Sequence, residues 1–126
     1  MNLRQHFQFA QAADQFRRTI DLTGSAEARA GLGHVLALQD RQAEAKEILD
    51  GLRAARNQSG QFISAGHLAW VQLGLADHDQ VFASLEEAFQ ERFCLLAYLK
   101  IDPLYDPIRP DRRFAELLRE IGLGGP

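Results

Sequence analysis

One apolar lattice occurs twice in this chain of 126 residues, at a single offset. Leu32, Gly33, Ala45, Leu49 and Leu52 return as Leu68, Ala69, Val81, Leu85 and Ala88, each 36 residues later. Ala12, Phe16 and Thr19 carry part of the same lattice, 33 residues before Ala45, Leu49 and Leu52. A period in the thirties with small residues at fixed points is the mark of stacked helix pairs, in which each unit buries its apolar face on its neighbour. Stacks of that kind usually bind other proteins, so the pattern bears on function as well as fold.

The intervening residues agree with helices. Ala, Leu, Gln, Glu and Arg dominate, while Val, Ile and Thr are sparse and no stretch alternates polar and apolar residues, which favours an all-α chain. A first helix is expected over 3–21, with Phe9, Ala12, Phe16 and Ile20 on one stripe and Gly24 as its stop. Ser25 then caps a second helix over 26–39 that turns Ala28, Leu32, Val35 and Leu36 inward. A turn at Asp40 leads to a third, ending near Arg56, with Ala45, Ile48, Leu49, Leu52 and Ala55 inward. Asn57, Gln58, Ser59 and Gly60 read as the flexible link between repeats. A fourth helix is expected over 61–75, and Asp77 caps a fifth, with Gln80 at the capping-box position. Val81, Phe82, Leu85, Ala88 and Phe89 form its buried face. A short sixth helix over 93–100 precedes a rigid turn at Asp102–Pro107, where two prolines fix the backbone. A last helix begins near Asp111, buries Phe114, Leu117, Leu118 and Ile121, and stops at Gly122, leaving a frayed tail from Gly124 to Pro126.

Gly31 and Gly33 lie inside the second helix, where each costs about 1 kcal/mol relative to alanine. An isolated helix gains nothing from them, but two helix axes can approach closely where side chains vanish. Ala69 fills the same niche one period later.

Taken together, these matches resemble the tetratricopeptide-repeat family, whose paired helices carry a Leu-Gly step in the first and an Ala…Leu…Ala ladder in the second. Here the match is Leu32-Gly33 with Ala45, Leu49 and Leu52, then Leu68-Ala69 with Val81, Leu85 and Ala88. The family unit is about 34 residues, so the wider offset implies a longer link. The second unit departs from the pattern at Ala69, Gln72 and Val81. Tyr98 to Pro107, with Arg112, Arg113, Phe114, Leu117 and Leu118, is similar to the closing segment of bacterial repeat arrays. The resemblance implies an α-α superhelix, a right-handed stack of antiparallel pairs forming a single domain. Its parts would be a lone helix (1–22), two repeats (26–56 and 61–91) and a capping segment (93–122). The lone helix would leave Leu3 and Phe7 exposed. Either the chain is a fragment of a longer array, or a second copy seals that face as a homodimer.

In such stacks the first helix of each pair lines a concave groove. That stripe is Glu27, Gly31, His34 and Leu38, then Ile63, His67, Trp70 and Gly74, so that His34 and Trp70 are equivalent positions brought close together. His34, His67, Trp70, Glu27 and Ile63 are the expected partner-binding residues. Trp70 is either a binding surface or core beneath the capping segment. Family members that grip a C-terminal carboxylate carry Lys, Arg and Asn on these positions. Their absence here points to an apolar or helical peptide.

Other classes of function find little support. His6, His34, His67 and His78 lack metal-ligand spacing, and Asp77-His78-Asp79 sits where a cap and turn are required. Cys94 reads as a small buried apolar side chain with no partner for an internal disulfide. Asp102, Asp106 and Asp111 fit turns and caps. Arg109, Arg112 and Arg113 fit a solvated face complementing nearby acids. No phosphate loop, nucleophile elbow or paired catalytic motif occurs, so neither an enzyme nor a cofactor is expected. A net charge of −3 gives no reason to expect nucleic acid. No run approaches the roughly 18 apolar residues of a membrane span. With no export signal at the N-terminus, the cytoplasm is the expected compartment.

Overall fold

The computed structural model describes residues 2–58 and 62–123, apart from the side chains of Cys94 and Leu95. The expectations for Cys94, for Ser59 and Gly60 in the link, and for the tail from Gly124 to Pro126 lie outside the described residues.

The chain is all-helical, with no strand among the described residues. Its α-helices are α1 (Leu3–Thr23), α2 (Ala26–Leu38), α3 (Gln42–Arg56), α4 (Ala65–Gly74), α5 (His78–Gln90) and α6 (Arg112–Glu120). Two 3₁₀ helices, Cys94–Tyr98 and Pro103–Ile108, lie between α5 and α6. None of these helices is long and apolar enough to cross a membrane.

The helix ends follow local chemistry. Gly24 closes α1 in the left-handed conformation (φ 66°), and the Ser25 hydroxyl accepts the Ala28 amide hydrogen to open α2. Asp77 accepts from the Gln80 amide, as expected of the cap of α5. Both helix-pair turns use one device. Asp40 (φ 65°) and Ala76 (φ 59°) take the left-handed conformation. The Arg41 and Asp77 amides then reach back to the Leu36 and Gln72 carbonyls at 2.9 and 3.1 Å. This is the Schellman closure, which satisfies carbonyls that a helix end leaves open. Both turns recur at the 36-residue offset of the apolar lattice, so the periodicity extends to backbone conformation.

Short connections fold successive helices back on one another. α2 packs against α1, α3 and α4, while α4 also meets α3, α5 and the second 3₁₀ helix. All ten lattice residues, Leu32 through Leu52 and Leu68 through Ala88, are buried; Ala45, Leu52, Ala69, Val81, Leu85 and Ala88 are wholly so. They contribute to two clusters, one centred on α2 and α3, the other on α4, α5 and the C-terminal segment. α1 joins the first through Ala13 and the partly buried Phe9, Ala12, Phe16 and Ile20. Its first turns stay open, with Leu3 and Phe7 exposed.

Three elements differ from the sequence expectation. α4 begins at Ala65, not near Gln61, because Ser64 forms its cap. In place of an α-helix over 93–100 there is the 3₁₀ helix Cys94–Tyr98: Phe93, Leu96 and Leu99, at and within its ends, are all buried, and a period of three places them in one row facing the core. Asp102–Pro107 is more than a turn, since Asp102 caps the second 3₁₀ helix through the Leu104 amide.

Arg109 fastens that C-terminal segment. Its guanidinium donates to the Lys100 and Asp102 carbonyls at 2.7 and 2.8 Å and to Asp106 at 2.7 Å. Arg113 pairs with Asp79 and Asp111 and lies over the Phe82 ring, tying α6 to α5. Two of the three clustered arginines are thus engaged with acids or carbonyls.

Candidate functional site

The site begins with the close approach of α2 and α4. A Cβ on Gly33 would lie 2.8 Å from Val71 Cγ2, and one on Gly74 would lie 2.7 Å from the His34 carbonyl oxygen. Gly31 serves α1 in the same way, since a Cβ there would fall 2.5 Å from the Phe16 ring. The glycines therefore let three helices converge.

That convergence brings His34 to Trp70. His34 Nδ1 donates to the Trp70 carbonyl oxygen at 2.9 Å. A carbonyl only accepts, so Nδ1 holds the proton, and Nε2 of the neutral ring is an acceptor. Burial depresses the His34 pKa against the opposing effect of that hydrogen bond, so the ring is neutral at pH 7. The Trp70 indole Nε1 donates to Tyr105 Oη at 3.0 Å. Tyr105 is buried in the C-terminal core, and that burial lifts its pKa to about 12. Trp70 packs against both core clusters and also lines a cavity, so one ring is both packed in the core and presented to a depression.

The cavity measures about 440 Å³. Phe16 of α1, His34 and Val35 of α2, Trp70 of α4 and Leu104 of the second 3₁₀ helix supply much of its lining, with Glu27 and Asp102 as its acids. A second cavity of about 350 Å³ shares Ser25 and Glu27 with the first and adds Phe62, His67, Arg92 and Phe93. The two adjoin at Ser25 and Glu27.

Glu27, His34 and Trp70 are thus brought together as expected. Ile63 and His67 are not open surface: they are 3% and 4% exposed. The Ile63 carbonyl accepts from Arg56 at 3.4 Å. His67 Nδ1 accepts the Ser64 amide hydrogen at 3.1 Å and so completes a capping box at the start of α4. Its ring meets Trp70 and Phe93 edge-on, with centroids 5.3 and 5.1 Å apart. Burial lowers its pKa, while the charges of Glu27 and Glu91 oppose the shift. Nε2 has no hydrogen-bond partner among the described residues.

Val35, Asp102 and Leu104 were not expected in the site. The spacing of Val35 marks it as core, and Asp102 and Leu104 read as part of a turn, although the capping segment as a whole is weighed as a cover for Trp70. Trp70 and Tyr105 carry the signal that could have found them: two amphipathic aromatics, each needing a polar partner when buried.

No group of three or more His, Cys, Asp or Glu side chains among the described residues is placed to hold a metal ion. Asp77 is engaged as a cap and Asp79 by Arg113. Compared with known proteins, the chain matches no family model, no curated protein and no solved structure.

Proposed function

We propose that this chain is a non-enzymatic protein-interaction module, a short tetratricopeptide-like stack of helix pairs that takes a peptide or helix of a partner in its groove. The observation that carries this reading is the depression between α2 and α4, lined by Trp70, Phe16, Val35 and Leu104 and adjoined at Glu27 by a second one. Its walls belong to packed helices braced by Trp70–Tyr105 and His34–Trp70, so binding would cost little ordering entropy in the domain.

The test is selection of random peptides of about twelve residues on the immobilised chain, followed by NMR titration of the enriched sequences. Shifts centred on Glu27, His34, the Trp70 indole and Leu104 support the reading. Shifts confined to the outer face of α1, or no enrichment, overturn it.

A second reading, self-association through α1, is favoured by the exposure of Leu3 and Phe7. The same stripe continues into Gln11, Asp14 and Arg18, which suits a dry helix interface poorly. Light scattering across a concentration series decides: a monomer throughout removes this reading.

A further inference from the structure

Resting on the proposed peptide-binding reading, the chemistry of the first cavity narrows the partner. We infer that the groove selects a segment presenting a basic side chain, arginine above all, which lays its stem on Trp70 and Leu104 and turns its charge toward Glu27 and Asp102.

The argument is one of donors and acceptors. The cavity lining includes two carboxylates and no Lys or Arg. Its side-chain donors are largely committed inside the protein. Trp70 Nε1 donates to Tyr105, His34 Nδ1 to the Trp70 carbonyl, and the Thr19 hydroxyl to the Gln15 carbonyl at 3.0 Å. The Ser25 hydroxyl accepts the Ala28 amide hydrogen, which leaves its own O–H as the remaining side-chain donor of the lining. What remains on offer is mostly acceptors: Glu27, His34 Nε2 and the Asp102 oxygen not engaged by the Leu104 amide. An acidic or carbonyl-rich segment would find few donors there and would bury its own oxygens unpaired. A guanidinium reverses every sign. It carries five N–H donors and no acceptor, its plane stacks on an indole, and its methylenes match the apolar walls. The net charge of −3 adds long-range attraction of the same sign.

The test uses peptides enriched in the selection above, each compared with a copy in which arginine is replaced by citrulline. Citrulline keeps the shape and loses the charge. Binding is read by fluorescence polarisation on the wild-type chain, on Glu27→Gln and on the Glu27→Gln/Asp102→Asn double variant. Asparagine retains an acceptor for the Leu104 amide, so the C-terminal segment keeps its cap, and circular dichroism checks the fold. Expected are a shared Arg or Lys among enriched peptides and a loss of about tenfold or more on citrulline replacement in the wild type. That penalty should shrink severalfold in the double variant. Affinity should also fall as salt rises from about 50 to about 500 mM.

Enriched peptides that map to Trp70 but lack a basic residue, or that tolerate citrulline, would overturn the inference and leave the peptide-binding reading standing. N-acetylarginine amide binding as tightly as the full peptide would overturn the commitment to a protein segment. No enrichment at all would overturn both readings.

Discussion

The groove depends on how closely α2 and α4 approach, and two glycines allow a test of that approach with opposite signs. Replacing Gly74 by alanine would place a Cβ 2.7 Å from the His34 oxygen, 3.0 Å from Ala37 Cβ and 3.1 Å from His34 Cα. All three obstacles are backbone or Cβ atoms with no rotamer to escape into, so the helices must separate by a few tenths of an ångström. Overpacking of this sort costs about 1–3 kcal/mol. Alanine returns at most about 1 kcal/mol of helix propensity, and less at the last residue of α4. A net loss of roughly 1–2 kcal/mol follows.

Gly51 is the control. It lies in the middle of α3, and a Cβ there meets only Arg29 Nη2, at 3.4 Å and on a flexible side chain. Gly51→Ala should therefore stabilise the chain by about 0.5–1 kcal/mol. In a domain of this size each kcal/mol moves the melting temperature by roughly 3–5 °C. Thermal and urea unfolding followed at 222 nm should show Gly74→Ala several degrees below the parent and Gly51→Ala a few degrees above it. In the folded Gly74→Ala variant, NMR of the His34 ring should also report a weakened bond to the Trp70 carbonyl. A Gly74→Ala protein as stable as the parent would refute the close helix approach, and with it the groove geometry.

Other positions give sharp expectations. Ala76 holds φ 59°, a conformation that costs an alanine about 1 kcal/mol, so Ala76→Gly should raise the urea midpoint; an unchanged or lower midpoint would count against the left-handed turn. The Glu91 carboxylate accepts from the Ala65 amide (2.9 Å) and the Ser64 hydroxyl (3.2 Å) and pairs with Arg56 (2.8 Å), so Glu91→Ala should destabilise by about 1–3 kcal/mol and expose 62–65 to proteolysis. A variant with parental melting and cleavage would remove Glu91 as the fastening of α4. Burial lowers the pKa values of His34 and His67 below their usual 6.5. Below that pH the unfolded chain takes up protons that the folded chain refuses. Their contribution to stability is therefore complete above about pH 6.5 and declines as the pH drops beneath it. Urea midpoints measured between about pH 7.5 and 5.5 should decline, and a flat or rising series would show that the two rings are not held neutral.

How much of this was legible in the sequence depends on what covers each helix. For α3 and α5 the apolar stripe names the buried face, because one side of each meets its neighbours and the opposite side remains largely open, whereas α2 is covered by α1, α3 and α4 over most of its surface. α4 breaks that rule: Ala65 through Ala69 and Val71 through Leu73 are all buried. A helix covered on nearly every side has no outward stripe to read, and so His67, assigned to the groove by its spacing, is closed in by Phe93 and the Ser64 cap. The start of α4 is hidden from the sequence for a different reason. A capping box completed by a histidine nitrogen lies outside the Ser/Thr-to-Glu/Gln pattern by which boxes are recognised.

Asp102 and Leu104 expose the deeper limit, since the 36-residue offset describes only what repeats. The wall they add comes from a segment with no counterpart in the first repeat, and it is placed by the bond from Trp70 to Tyr105. Trp70 therefore sets the groove twice, as its aromatic surface and as the anchor of its far wall. Truncating it would test both roles at once and distinguish neither. Trp70→Phe keeps most of the surface and removes only the donor. It would leave the Tyr105 hydroxyl without that partner in the core, so stability should fall by about 1–3 kcal/mol, while a bound segment would still find an aromatic face. If Trp70→Phe instead melts like the parent and loses all binding, the indole N–H is reaching the partner, and the Tyr105 bond does not hold the wall.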